Sequence, residues 1–325
     1  MAHAFSIDGT AVALNQVMVT RAQEIQQTMR VGLEFEREFP FVPTEHTYMA
    51  PNVAISNLLQ PYQPAFTSNN TETWDSVENT LEHGKSDIEF DALQLEEAWD
   101  TLLSNYFELD KSPDMWDYAN YVLKQVVMPK LMEEINEASW AGERVDPTPG
   151  TPGTYLESWD GYKKKIADAV TAGSLTPIAT GALVAGTMEE QVRTFCAGLP
   201  DAYRFKPGKI YMSSTRAIQY AEDYLSNHNH TNEVRENPDR PVYRVDFYNK
   251  VVVPVMAMEG SDRMFFSPDS ANNIIVGNRI RNGVVQSPYP NFRFQVFDRK
   301  LKCLAEMSRF YGFKYWGHLF VNDQA

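Results

Sequence analysis

Apolar and polar residues alternate along two neighbouring segments in the first third of the chain, and this pattern predicts two β-strands. Val77 and Leu81 lie on one face of the first segment, while Ile88 and Phe90 lie on one face of the second. The residues between them, His-Gly-Lys at 83–85, predict a turn, so we expect an antiparallel hairpin. A lone hairpin is only marginally stable in water. Its apolar face therefore needs a partner, either elsewhere in this chain or on another copy of it.

A partner on another copy would make this hairpin an assembly element, and that is the alternative we favour. The hairpin would occupy residues 66–100 and carry many acidic side chains on its polar face. We expect the double substitution Ile88→Asp with Phe90→Asp to leave the monomer folded and to block assembly. The candidate assembly-interface residues are Trp74, Val77, Leu81, Ile88 and Phe90.

A helical repeat follows the hairpin. Apolar residues at every fourth position between 115 and 135 predict one long helix over residues 113–138. Ser112 is a typical N-cap, and Pro113 suits the first helical position. Pro129 lies inside the helix and should bend it, because its ring removes a backbone N–H.

The rest of the chain mixes helical and extended patterns. A helix is predicted near residues 15–31, and five prolines between residues 40 and 64 predict an extended arm rather than a long regular element. Spacing predicts a buried strand at 209–213 and helices at 160–172, 188–197 and 216–226. Beyond residue 241 the sequence is strand-forming. This order, without a repeated βαβ unit, predicts an α+β fold.

Composition narrows the possible functions. The 325 residues carry a net charge of -14, which argues against a protein that grips nucleic acid phosphates. The same charge suits a surface that faces DNA without adhering to it. Two cysteines exclude a disulfide framework and favour synthesis in a reducing cytoplasm. Neither a signal peptide nor an uninterrupted apolar run long enough for a membrane span is visible.

Motifs for catalysis and cofactor binding are absent from the sequence. It contains no phosphate-binding Gly-Lys-Ser/Thr loop, no G-x-G-x-x-G before a helix and no G-x-S-x-G elbow. His228 and His230 could share a metal, but their Asn-rich surroundings favour a solvated loop. Cys196 and Cys303 are better explained as small buried side chains than as nucleophiles. We therefore predict no catalytic, metal or cofactor site.

The order of elements, together with two stretches of sequence, resembles a known family. The stretch GSDRMFFSPDSANNIIVG at 260–277 and the ending RKLKCLAEMSRFYGFKYWGHLFVN are similar to passages in capsid proteins of phages that infect Bacteroides-like hosts. Nearly the whole chain resembles the major capsid proteins of tailed bacteriophages, which have the Hong Kong 97-type fold. The resemblance implies a Hong Kong 97-like capsid fold made of an N-terminal arm (1–65), an extended β-hairpin loop (66–100), a peripheral domain with a spine helix (101–158), an axial domain (159–290) and closing strands of the peripheral domain (291–325).

The resemblance also implies a function and partners. It predicts a major capsid protein, made in the bacterial host cytoplasm, that assembles with itself into the pentamers and hexamers of an icosahedral head. Expected partners are portal, scaffolding and decoration proteins, and packaged DNA held at the inner face without sequence specificity. Two alternatives stay open. One is an encapsulin-like compartment shell or another virion structural protein, and the other is an uncharacterised soluble enzyme.

Overall fold

The computed structural model describes residues 6–56, 59–68, 71–97, 119–228 and 243–324. The chain combines helices with mostly antiparallel strand pairs, in agreement with the α+β prediction. The helices are α1 Ile7–Thr20, α2 Ala22–Gly32, α3 Glu34–Glu38, α4 Ala92–Glu97, α5 Met128–Ala141 (preceded by the π-helical turn Val122–Val127), α6 Tyr162–Thr171, α7 Met188–Ala197, α8 Asp201–Arg204, α9 Ser214–His228 and α10 Ser270–Asn273. Short 3-10 turns occur at Tyr155–Glu157, Met256–Met258 and Trp316–His318.

In the described parts of the chain, the strands form four sheets. A two-stranded ribbon pairs β2 with β3, and a three-stranded sheet has the order β11-β12-β4. In a third sheet, β9 pairs with β1, β10 and β13, and a five-stranded sheet has the order β14-β8-β5-β7-β6. The strands are β1 Phe41–Thr44, β2 Thr47–Ser56, β3 Thr71–Thr80, β4 Glu82–Asp91, β5 Gly208–Ser213, β6 Tyr243–Val245, β7 Lys250–Val255, β8 Phe265–Phe266, β9 Ile274–Arg281, β10 Val284–Val285, β11 Asn291–Phe297, β12 Lys300–Arg309, β13 Tyr311–Phe313 and β14 Phe320–Val321.

The pairing of β3 and β4 differs from the predicted hairpin. β3 pairs antiparallel with β2, from Thr80 opposite Thr47 to Thr71 opposite Ser56. β4 instead pairs with β12 along its whole length, so residues 83–85 lie inside a strand and form no turn. The predicted hairpin is therefore wrong. The chain passes from the ribbon to the three-stranded sheet at Leu81, whose side chain is buried in a small cluster with Ile275 and Phe310.

The proline-rich segment also differs from the prediction. Ten of its residues form β2, although Pro51 lies within that strand opposite Ser76. A proline cannot donate a ladder hydrogen bond, but it is tolerated in a strand at the edge of a sheet. β2 is such an edge strand beside β3, so the expectation that prolines exclude a long regular element fails here.

The N-terminal residues pack against the body of the same chain. The helix predicted near residues 15–31 is divided at Arg21, where α1 ends and α2 begins. Leu14 and Val17 are fully buried. The Asn15 amide donates to the backbone oxygen of Phe294 at 2.8 Å and accepts from its N–H at 3.1 Å. These two hydrogen bonds satisfy backbone groups at the free edge of β11. A covered edge is less able to pair with strands of other chains.

The long helix is described from residue 119 to residue 141, and its predicted start at Pro113 lies outside the described residues. Before Pro129 the hydrogen bonds follow a π pattern: the Met128 N–H donates to the oxygen of Leu123, five residues back. This single π turn absorbs the proline, since Pro129 cannot donate to the preceding turn. The prediction of one long helix is confirmed for the described part, and its irregularity lies where the proline requires it.

A second hydrophobic core lies around the five-stranded sheet. α7 and α9 pack on this sheet, and the cluster includes Val192, Phe195, Ile210 and Phe266, all fully buried. The last strand, β14, pairs with β8, so the end of the chain joins this sheet and not the sheet of β11 and β12. The prediction had placed residues 291–325 together in the peripheral domain. The domain boundaries themselves stay a prediction.

A buried salt bridge joins the N-terminal segment to the three-stranded sheet. Arg309 on β12 donates from Nε and Nη2 to the Glu36 carboxylate on α3, at 2.7 and 3.2 Å, and both side chains are about 1% exposed. The Tyr311 hydroxyl donates to the same carboxylate at 3.2 Å. Burial raises the pKa of Glu36, and Arg309 and Tyr311 partly offset that rise. The pairing matters for stability, because a buried carboxylate without its partner strongly destabilises the folded protein.

Candidate assembly surface

The ribbon of β2 and β3 has one apolar face. Directly opposite residues of an antiparallel pair point to the same side, and every second residue along a strand shares that side. Trp74 lies opposite Val53, so these two side chains share a face. The alternation places on this face Met49, Pro51, Val53 and Ile55 of β2 and Glu72, Trp74, Ser76 and Glu78 of β3. We call this set the ribbon face.

The ribbon face is exposed to solvent in the monomer. Trp74 is 72% exposed, Met49 56%, Ile55 49% and Val53 40%. The opposite face differs near the root of the ribbon, where Val77 is buried. Contiguous exposed apolar surface on a folded protein usually marks a binding surface. The ribbon face therefore has the character of an unfilled interface.

The segment between the two strands is uncharged, and its described part, residues 59–68, is exposed. Residues 57–70 contain no acidic or basic side chain. In its described part, Leu59, Tyr62 and Phe66 are each more than nine-tenths exposed. Pro61 and Pro64 restrict this backbone and lower the entropy that binding would remove. The distal end of the ribbon thus extends the apolar character of the ribbon face.

The root of the ribbon is fixed firmly to the body. The buried Asn79 amide donates to the Phe313 backbone oxygen at 3.0 Å. A Cβ at Gly312 would lie 1.9 Å from the Asn79 side-chain oxygen, so only glycine allows this contact. Tyr48 stacks on Phe310 with ring centroids 6.2 Å apart. This anchoring fixes the direction in which the apolar face is presented.

The five residues predicted for the interface occupy different environments. Trp74 is exposed on the ribbon face, whereas Val77 and Leu81 are buried at the ribbon root. Ile88 and Phe90 lie on β4, opposite Cys303 and Leu301, and pack against the main core of their own subunit.

These positions change the argument for the predicted interface. The expectation that Ile88 and Phe90 have no internal partner is wrong, because β12 and the core beneath it supply one. Contact of any of the five residues with another copy stays a prediction. Sequence reasoning missed Met49, Val53 and Ile55, because the surrounding prolines argue against a strand and the apolar residues between them hide the alternation.

The charged residues of the ribbon segment itself are all acidic. Residues 47–80 contain three acidic residues and neither lysine nor arginine. Two of the three, Glu72 and Glu78, lie on the ribbon face on either side of Trp74. The indole Nε1 of Trp74 donates to the Glu72 carboxylate at 3.4 Å. A partner for this surface should combine apolar side chains with positive charge.

The two cysteines and the candidate metal ligands were the other residues considered for chemistry in the sequence. Burial raises the pKa of the Cys196 and Cys303 thiols to about 12, so both are protonated at neutral pH. Within the described ranges, no group of three or more His, Cys, Asp or Glu side chains is placed to hold a metal. His230 lies outside the described residues. None of the described helices combines the length and apolar character that crossing a bilayer requires.

Comparison with known proteins identifies the fold. No protein-family model and no curated protein sequence matches the chain. Among the solved structures that match the chain are capsids of phages and of a GTA particle. The capsid of a native GTA particle matches with a TM-score of 0.56 and 13% identity, over 89% of this chain and 88% of the other.

Two phage structures give similar agreement. The procapsid of satellite phage P4, which includes a size determination protein, matches with a TM-score of 0.55 and 11% identity, over 93% and 90% of the two chains. The capsid of cyanophage A-1(L) matches with a TM-score of 0.54 and 12% identity, over 91% and 92%. The chain therefore has the fold of phage capsid proteins, which confirms the fold class predicted from the sequence.

Proposed function

We propose that this chain is a major capsid protein, a structural subunit that assembles with copies of itself into the pentamers and hexamers of an icosahedral phage head. The similarity to capsid subunits supports this role, because it extends over about nine-tenths of both chains. The location that follows is the virion, with synthesis in the host cytoplasm. A structural role also fits the protonated, buried state of both cysteines.

The observation that carries the proposal is the exposed ribbon face. Removing apolar surface from water stabilises by roughly 25 cal/mol per Å². The subunit leaves this apolar surface exposed on a ribbon whose root is anchored to the body. A second copy that covered the ribbon face would gain this stabilisation, and repetition of the same contact around a ring would close a capsomer. Trp74 is the predicted interface residue that we retain at the centre of this contact.

Further partners follow from the same proposal. The net charge of -14 suits an inner surface that encloses DNA without binding it tightly or specifically. Portal, scaffolding and decoration proteins would contact the shell at particular positions. The proposed domains are the arm, extended loop, peripheral and axial domains named above, with the ribbon of β2 and β3 in place of the predicted hairpin as the extended element.

Purified protein tests the proposal directly. Sedimentation velocity should show large assemblies, and negative-stain electron microscopy should show capsomer rings or closed particles. A protein that stays a compact monomer over a wide range of concentration and ionic strength would contradict a shell function. A small stable oligomer with a defined enzymatic activity would instead favour the enzyme alternative.

A further inference from the structure

The three-stranded sheet has a free edge along β4. Its order, β11-β12-β4, leaves β11 and β4 as the two edge strands. The side chain of Asn15 covers part of the β11 edge with hydrogen bonds. β4 pairs with β12 over ten consecutive residues, without a bulge that would twist its outer edge away. A long and regular edge strand is a template on which another strand can pair.

Two hydrogen bonds establish which backbone groups of β4 face outward. At one end, the Ala92 N–H donates to the Arg299 oxygen at 3.3 Å, on the side of β12. At the other end, the Leu81 N–H donates to the His46 oxygen at 2.7 Å, away from β12. Because the direction alternates along an antiparallel strand, even-numbered residues bond to β12 and odd-numbered residues direct their N–H and C=O outward. The outward set, which we call the β4 edge, is His83, Lys85, Asp87, Glu89 and Asp91.

The β4 edge has no backbone partner in its own subunit. In the parts of the chain that the structure describes, no backbone N–H or carbonyl of these five residues forms a hydrogen bond. Their side chains are exposed as well. A strand of another chain could therefore add to the sheet here through backbone hydrogen bonds.

The order of charges along the β4 edge is complementary to itself. When two copies of the strand run antiparallel, one register places Lys85 of each copy opposite Asp87 of the other. The same register sets His83 opposite Glu89, so no two like charges are directly opposite. Opposite charges across a strand pair stabilise it, and like charges destabilise it. Lys85 and Asp87 also form an ion pair within one subunit, but their side chains are 73% and 47% exposed, and such pairs contribute little.

Ser86 lies at the centre of this register and is opposite its own counterpart. It is even-numbered and bonds to β12, so in the new contact the two copies of Ser86 form a non-hydrogen-bonded pair. The Cα atoms of such a pair are about 4.5 Å apart. The register thus predicts one short distance that no other alignment of the two strands gives.

We propose that the β4 edges of two copies pair antiparallel about a twofold axis at Ser86, which joins their three-stranded sheets into one sheet of six strands. The contact uses the same patch on both copies, so it closes after two subunits. A ring needs a head-to-tail contact instead, and the β4 edge is therefore a link between rings. This role as a link between capsomers rests on the proposed shell function, whereas the pairing itself is argued from β4 alone.

A single cysteine tests the register. In a background with Cys196→Ala and Cys303→Ala, Ser86→Cys should form a disulfide-linked dimer under mild oxidation, because the short Cα distance suits a disulfide. The control is Asp91→Cys in the same background. Its two copies would be ten residues apart along the paired strands, roughly 34 Å, and should form no dimer. Non-reducing gel electrophoresis measures the dimer, and circular dichroism confirms that each variant is folded.

Charge reversal in the Ser86→Cys protein tests the role of the side chains. Lys85→Glu sets two carboxylates opposite each other and should cause loss of most of the dimer. Adding Asp87→Lys makes the charges opposite again and should recover it. A dimer that forms equally in all these variants would overturn the charge-paired register.

The same proteins separate failure of this inference from failure of the proposed function. A folded Ser86→Cys protein that forms particles but no disulfide-linked dimer would overturn the pairing and leave the shell function intact. A disulfide-linked dimer from a protein that forms neither rings nor particles would support the pairing and contradict the shell function. Absence of both the dimer and the particles would overturn both.

Discussion

At the scale of single residues, the contact between Arg309 and Glu36 shows how burial determines the importance of a charge. The bidentate geometry and the Tyr311 hydroxyl compensate the carboxylate for the water it has lost. In an exposed pair such as Lys130 with Glu133, the side chain that remains after its partner is removed stays hydrated. Loss of one partner should therefore be severe only at the buried pair.

Arg309→Ala is expected to lower the free energy of unfolding by about 3–5 kcal/mol, because Glu36 would stay buried without its cationic partner, with only the Tyr311 hydroxyl beside it. Urea unfolding followed by circular dichroism measures this change. The double variant Arg309→Met with Glu36→Leu should recover much of the loss, since it removes both charges. A cost of less than about 1 kcal/mol for the single change, typical of an exposed pair, would contradict the buried-pair explanation.

The two cysteines give a prediction for alkaline pH. Burial raises the thiol pKa from 9.0 to about 12, so folding favours the protonated form of each thiol. This contribution to stability is fully present below pH 9 and is lost as pH rises toward 12. Cys196→Ala with Cys303→Ala should therefore lose less stability than the wild type between these pH values. At pH 8, a thiol reagent should label the native protein far more slowly than the unfolded one.

At the scale of elements, each face of a strand must be assigned to the body of the subunit or to another copy. β4 is covered by β12 and by the main core, and Ile88 and Phe90 are part of that packing. The distal half of the ribbon has no such cover on its apolar face. Substitutions in the two elements should therefore have opposite effects on stability and assembly.

Ile88→Asp with Phe90→Asp is now expected to destabilise the monomer by several kcal/mol, about 1–3 for each charge placed against the core. Val53→Ser with Trp74→Ser should leave the thermal unfolding midpoint nearly unchanged and reduce assembly. Thermal unfolding followed by circular dichroism, together with sedimentation velocity, separates these effects. A fully stable Ile88/Phe90 variant would contradict the conclusion that β4 is part of the core of its own subunit.

Local signals in the sequence predicted helices better than strand pairs. α7 has the predicted bounds, 188–197, and α6 nearly matches its prediction, because helical contacts join residues three and four apart. The partner of β4 lies more than 200 residues away, and alternation alone cannot identify it. The ribbon face escaped prediction for a related reason: β3 pairs with β2 and not with β4, and the prolines around β2 argue against a strand there.

At the scale of the whole molecule, the ribbon is an appendage with a fixed root and an exposed distal part. The clusters that hold the subunit together lie beneath the ribbon root and around the sheets. Assembly and subunit folding should therefore be separable by shortening the ribbon.

Replacing residues 51–76 with Asn-Gly would join Ala50 to Val77, which already lie opposite each other, through a two-residue turn. We expect the shortened protein to keep its secondary structure and its unfolding midpoint, since the deleted part buries little surface. Electron microscopy should show no rings or particles. Closed shells formed by this variant would exclude the ribbon as the element that joins the subunits.

The single π turn before Pro129 has a consequence for the rotational phase of the long helix. In a regular α-helix a residue four positions on overshoots one turn by about 40°, so the row from Ala119 to Ile135 should drift by about 160°. Every member of that row is nonetheless buried. The wider π turn reverses part of this drift, so the helical residues before and after it face the same core. Pro129→Ala would let the helix wind regularly and turn Ala119 away from the core, so this change should lower the melting temperature even though it removes a helix breaker.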